Sequence, residues 1–82
     1  RYFYVYGVAL EAQGRIDDAI TTLKQANQMW PNQYDLLITL IIYLEKNGKV
    51  SESWSYLSKL SAIAPNDPEV KRRLAVMRSR RE

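Results

Sequence analysis

Residues 10–32 read LEAQGRIDDAITTLKQANQMWPN, and residues 44–66 read LEKNGKVSESWSYLSKLSAIAPN. The two stretches are offset by 34 residues, and their apolar, small, glycine and proline positions coincide. A fixed period of this size is typical of a solenoid, in which stacked units bury their apolar faces on one another. The period therefore predicts a repeat architecture and favours binding over catalysis. The matching positions are Leu10 and Leu44, Gly14 and Gly48, Ile16 and Val50, Ala19 and Ser53, Leu23 and Leu57, and Pro31-Asn32 and Pro65-Asn66.

Composition narrows the class of protein. The chain has 82 residues, 46% apolar and 26% charged, which is ordinary for a soluble globular domain. Cysteine and histidine are absent, which excludes disulfides, thiolate or imidazole metal sites, and catalysis by Cys or a Ser–His pair. No apolar run reaches the roughly 18–20 residues of a membrane span, and cytoplasm and periplasm are equally compatible with the absence of cysteine. Because the chain begins without Met inside an apolar pattern, we expect it to be a piece of a longer protein.

Apolar spacing predicts five helices, and no segment has the pattern of a strand. Gly14 and Gly48 are expected to end the first and third helices, since glycine adopts the left-handed backbone of a helix C-terminus without steric cost. Asn32 and Asp67 are the expected N-caps of the third and fifth. The helices are predicted at about residues 2–13, 16–29, 33–46, 51–63 and 68 onward, with core positions Phe3, Tyr6, Leu10; Ile16, Ala19, Ile20, Leu23, Ala26; Leu37, Leu40, Ile41, Leu44; Trp54, Leu57, Leu60, Ile63; and Val70, Leu74, Met77.

Two helix pairs with glycine turns and a closing Pro-Asn, at this period, resemble tetratricopeptide repeats. The positions that carry the resemblance are Phe3, Tyr6-Gly7, Leu10, Gly14, Ala19, Leu23, Ala26 and Pro31 in one unit, and Leu37, Leu40-Ile41, Leu44, Gly48, Ser53, Leu57, Leu60 and Pro65 in the next. The resemblance implies an all-α solenoid. We expect repeat 1 at residues 1–33, truncated at its N-terminus, repeat 2 at residues 34–67, and a basic capping helix at residues 68–82.

In this family the first helices of successive repeats line a concave groove that holds a partner's peptide or helix. The resemblance implies that the groove would be formed here by Tyr4, Val8, Glu11, Ala12, Ile38, Ile42, Glu45 and Lys46. The spacing of four residues between Ile38 and Ile42, and between Tyr4 and Val8, places each pair on one helix face, distinct from the core stripe. The implied function is a non-catalytic protein-interaction module with an apolar groove.

Two other interpretations of those apolar residues stay open. They could widen the core or contact further repeats, which would make the segment a structural element that stacks or forms homodimers without a ligand of its own. The segment from Tyr4 to Arg15 also resembles, more loosely, repeats appended to some bacterial multihaem cytochromes. No haem-attachment motif lies in this chain, so that resemblance implies only a bacterial, periplasmic parent protein.

Charge is concentrated in the last helix. Residues 1–67 carry six basic and seven acidic side chains, whereas residues 68–82 carry six basic and two acidic ones. A basic segment of this kind can contact nucleic acid or anionic lipid, but no aromatic residue follows Tyr56 to stack on bases. A solubilising cap is the alternative, because a terminal repeat needs a polar outer face. The basic residues are Lys71, Arg72, Arg73, Arg78, Arg80 and Arg81.

Nothing in the sequence predicts an active site, a metal or a cofactor. Asp17 and Asp18 are adjacent, so their side chains diverge by roughly 100° around a helix and cannot act as an acid–base pair. The three glycines are dispersed along the chain, and none forms a phosphate-binding loop. We therefore expect this segment not to be an enzyme and to have another protein, or a second copy of itself, as its partner.

Overall fold

A computed structural model describes residues 8–81, most of which are helical. Residues 8–12 are helical and form the described part of α1; the remaining helices are α2 (Ile16–Met29), α3 (Tyr34–Lys46), α4 (Val50–Ile63) and α5 (Pro68–Arg81). No strand occurs between residues 8 and 81. The expected core residues Phe3 and Tyr6 lie outside the described part of the chain. The all-α class predicted from the sequence is confirmed.

The turns after α1 and α3 have the same backbone geometry. Gly14 and Gly48 have φ values of 73° and 76°, in the left-handed region that glycine adopts freely. The amide of Arg15 donates to the carbonyl of Leu10 at 2.8 Å, and the amide of Lys49 donates to that of Leu44 at 2.8 Å. These bonds form Schellman motifs, which satisfy the last carbonyls of each helix.

Of the two N-cap residues predicted from the sequence, one is confirmed and the other is wrong. Asp67 caps α5, because its Oδ1 accepts hydrogen bonds from the amides of Glu69 at 2.8 Å and Val70 at 3.2 Å. The expectation that Asn32 caps α3 was wrong. The N-cap residue is Gln33, and it makes no side-chain capping hydrogen bond. Asp35 in the first turn of α3 supplies negative charge to that helix end instead.

The core consists of two clusters joined by α3. The first cluster lies between α2 and α3, and the second is formed by α3, α4 and α5. Because α3 faces a neighbour on both sides, seven of its residues are buried. The buried members of the first cluster are Ile20, Leu23, Leu36, Leu40, Tyr43 and Leu44, and those of the second are Leu37, Ile41, Leu57, Leu60, Val70 and Met77.

Candidate protein-interaction surface

One apolar side chain recurs, incompletely buried, at the same position of α1, α3 and α5. Val8, Ile42 and Val76 are each separated by 34 residues. Val8 is 40% exposed, Val76 is 51% exposed, and Ile42 is partly exposed. None of the three belongs to either core cluster. We call these three residues the apolar row. An apolar side chain left accessible in every unit is not explained by packing inside the fold.

The predicted groove residues that lie in the described part of the chain follow the same face. On α1 they are Val8, Glu11 and Ala12; Tyr4 lies outside the described residues. The Nζ of Lys46 is 3.1 Å from a carboxylate oxygen of Glu11, so this face of α1 and the C-terminal end of α3 lie side by side. The structure thus brings the two predicted halves together.

The two apolar groove residues predicted on α3 have different surroundings. Ile38 packs against the second cluster, with only part of its side chain exposed. Ile42 packs against neither cluster. Ile38 therefore extends the core, as one of the open interpretations expected, whereas Ile42 is an apolar residue outside both clusters.

Glu45, predicted to face a ligand, is held by the last helix. Its carboxylate accepts a hydrogen bond from Arg73 at 2.8 Å, and the same guanidinium donates to Glu69 at 2.7 Å. Arg73 is only 19% exposed. Desolvation opposes ionisation of both Glu69 and Arg73, but their hydrogen bonds outweigh it. The pKa of Glu69 is consequently lowered and that of Arg73 raised. This bridge fastens α5 to α3.

The remaining basic residues of α5 differ in whether they form an ion pair. Arg72 pairs with Glu69. Lys71, Arg78 and Arg80 are exposed and make no ion pair with any residue in the described range. Arg81 belongs to the same helix. The predicted basic patch thus contains one structural cation, Arg73, and at least three that are available to a partner.

A sequence model of the tetratricopeptide repeat matches residues 10–76, which is most of the chain. The protein belongs to the tetratricopeptide repeat family. No curated protein and no solved structure matches it significantly. Tetratricopeptide repeats are in general non-catalytic protein-interaction modules, and their partners are generally proteins. The matched range covers the turns at both glycines and most of α5.

Sequence reasoning missed two features of this tetratricopeptide surface. Val76 was overlooked, although adding the 34-residue period to Ile42 leads directly to it. Trp54 was assigned to the core and does pack against the second cluster, but it is also partly exposed and lines an open groove beside α5 that the sequence did not predict. No sequence signal marks such a groove, because it depends on how closely α5 approaches α4.

Two further properties of the described residues bear on function. Between residues 8 and 81, no three Asp or Glu side chains converge in a way that could hold a metal ion. Within the same range, no helix combines the length and the apolar character needed to cross a membrane.

Proposed function

We propose that this tetratricopeptide segment is a non-catalytic module that binds a peptide or helix of a partner protein along the apolar row. The observation that carries the proposal is the recurrence of Val8, Ile42 and Val76 at one position of three successive helices, outside both clusters. Accessible apolar side chains that recur once in each unit favour association with a protein. Their one-per-unit spacing suits an extended or helical segment that crosses several units.

The ion pairs beside the row support a preformed surface. Lys46 joins α3 to α1 through Glu11, and Arg73 joins α5 to α3 through Glu45. Both cross from one unit to the next, so they hold the three helices side by side before a partner arrives. A surface that needs little rearrangement loses less entropy when it binds.

The test is affinity capture from native lysate, with the wild-type protein beside Ile42→Glu and Val76→Glu. Each variant places a charge in the apolar row, and Val76→Glu carries little risk to folding because that side chain is half exposed. Met29→Glu is the matched control, since Met29 is 70% exposed and lies on α2, outside the row. Far-UV circular dichroism checks that all variants keep their helices.

We expect a partner that is retained by the wild type and the control and lost by both row variants. Equal retention by all four proteins would contradict the proposal. Sedimentation of the same four proteins tests the alternative in which the row contacts a second copy of the chain. Self-association abolished by both row variants, with no captured protein, would favour that structural role.

A further inference from the structure

An open groove lies between α4 and α5, next to the end of α3. Its volume is about 450 Å³. Apolar side chains form one part of its lining, including Trp54, Leu57 and Val76, and guanidinium groups form another, namely Arg72, Arg73 and Arg80. We call it the basic groove. Apolar surface and several cations therefore meet in one concavity.

Comparison with the preceding repeat shows where α5 differs from α3. Between α2 and α3, the side chains of Tyr43 and Leu44 are fully buried and belong to the first cluster. At the equivalent positions, 34 residues later, α5 carries Met77 and Arg78. Met77 is buried, but Arg78 is exposed, because a guanidinium is not buried without a partner. Leu44 therefore adds a buried apolar side chain to its repeat, whereas Arg78, at the equivalent position of α5, does not.

The charges in the groove are unevenly neutralised. Arg73 is occupied by Glu45 and Glu69, and Arg72 pairs with Glu69. Arg80 has no ion pair with a described residue, although it lines the same groove as Glu45. Three guanidinium groups thus stand against two carboxylates, and one cation remains available beside apolar surface.

We propose that the basic groove binds an acidic segment of a partner protein, with one bulky apolar side chain against Trp54 and Val76 and a flanking carboxylate paired with Arg80. The inference rests on the proposed function, because Val76 also belongs to the apolar row. Charge complementarity selects the occupant. Guanidinium groups pair bidentately with carboxylates, and the apolar lining gains free energy by removing a side chain from water.

A nucleic acid would also satisfy the cations, but it would leave the apolar part of the lining unused. Stacking on bases needs successive aromatic platforms, and Trp54 is the one aromatic residue that lines the groove. The peptide is therefore the occupant that uses both halves of the site. An oligonucleotide competitor distinguishes the two.

The experiment uses Trp54 as the reporter. The chain has two tryptophans, and Trp30→Phe leaves Trp54 as the sole one. The probes are short peptides, acetylated and amidated, in which one Leu, Ile, Phe, Met or Trp is flanked by Asp or Glu at varied spacing; Trp-containing peptides are read by anisotropy of an attached dye. Control peptides replace the acids by Asn or Gln, or the apolar residue by Ser.

Two charge reversals on α5 complete the design. Arg80→Glu alters the groove, whereas Lys71→Glu makes the same change of charge at an exposed position that does not line it. We expect Arg80→Glu to weaken the best peptide about tenfold, or ~1.4 kcal/mol. Lys71→Glu should change its affinity by about twofold or less, because Lys71 is exposed and does not line the groove. Both control peptides should bind more weakly.

Three results would contradict the inference. The first is that no acidic peptide binds, and the second is that Arg80→Glu and Lys71→Glu weaken peptide binding equally. The third is that a single-stranded oligonucleotide displaces the bound peptide more strongly than unlabelled peptide does. The proposed function is judged separately in the same proteins. If Arg80→Glu still captures the partner and Ile42→Glu does not, the result would support binding along the apolar row and contradict binding of an acidic segment in the basic groove. Thermal unfolding of Arg80→Glu should match the wild type, since that side chain has no ion pair among residues 8–81 to lose.

Discussion

Arg73 joins α5 to α3 by an ion pair with Glu45. Its guanidinium lies 2.8 Å from a carboxylate oxygen of Glu45 and 2.7 Å from one of Glu69. The perturbation that tests this role is a double-mutant cycle of Glu45→Gln and Arg73→Met, in which the methionine keeps most of the apolar stem. The cycle isolates the coupling between the two side chains from their separate contributions to folding.

The expected coupling free energy between Glu45 and Arg73 depends on how exposed the two side chains are to solvent. At an effective dielectric constant of about 20, unit charges about 4 Å apart attract by ~4 kcal/mol. Solvent reduces this, because Glu45 is 39% exposed, while Arg73 is only 19% exposed. Exposed pairs contribute roughly 0.2–1 kcal/mol, so we expect a coupling near the top of that range, about 1 kcal/mol. Arg15 and Asp18 form the matched control, with the same 2.8 Å distance but exposures of 54% and 59%; their coupling should be about 0.3 kcal/mol or less.

Urea unfolding of the wild type, both single variants and the double variant, followed by circular dichroism, supplies the four free energies of unfolding for each cycle. Repeating the cycle at high salt should reduce the control coupling proportionally more, because buried pairs are screened less. If the Glu45–Arg73 coupling does not exceed that of Arg15–Asp18, then burial of Arg73 is irrelevant and α5 is held by apolar contacts alone.

The other predictions concern stability. Leu40→Ala should lower the free energy of unfolding by about 2–5 kcal/mol, since that side chain is fully buried in the first cluster; a loss below ~1 kcal/mol in urea unfolding would contradict the packing. Gly14→Ala and Gly48→Ala should each cost about 1–2 kcal/mol and agree with one another, because both have positive φ and no atom within 4 Å of an added Cβ; unequal costs would show that the turns differ. Hydrogen bonds from Arg73 and Arg72 lower the pKa of Glu69 from 4.5 against the opposing effect of desolvation. The stability that Glu69 contributes is thus present above pH 4.5 and lost as pH falls through the lower folded-state pKa, so Glu69→Gln should flatten the acid dependence of the melting temperature, and parallel curves would refute this.

Local signals in the sequence predicted the helices and much of the core. Ile20 and Leu23 lie on one stripe of α2 at helical spacing, and Gly14 and Gly48 mark the turns, because these features depend on residues close together in the chain. The 34-residue repeat also predicted how the helices pack, since equivalent positions pack in equivalent ways. The same logic would have found Val76 from Ile42.

Features that depend on two neighbours at once were not predictable. The core stripe predicted for α3 omitted Leu36, Thr39 and Tyr43, all of which are buried. A single amphipathic stripe describes a helix that packs on one side, whereas α3 packs on both. The partners of Glu11 and Glu45 are likewise set by which side chains meet between helices, and no short-range pattern encodes a contact between residues 35 and 28 positions apart.

The basic character of α5 has two consequences. Arginine stands at the exposed residues 72 and 78, where α3 has Ile38 and Leu44. These substitutions remove apolar surface and keep the outer face of α5 hydrated, as a cap requires. Arg72 also lines the groove beside Trp54, together with Arg73 and Arg80. Arg72, in the place of Ile38, therefore belongs both to the polar outer face of α5 and to the basic groove, and its positive charge favours a partner of the opposite charge.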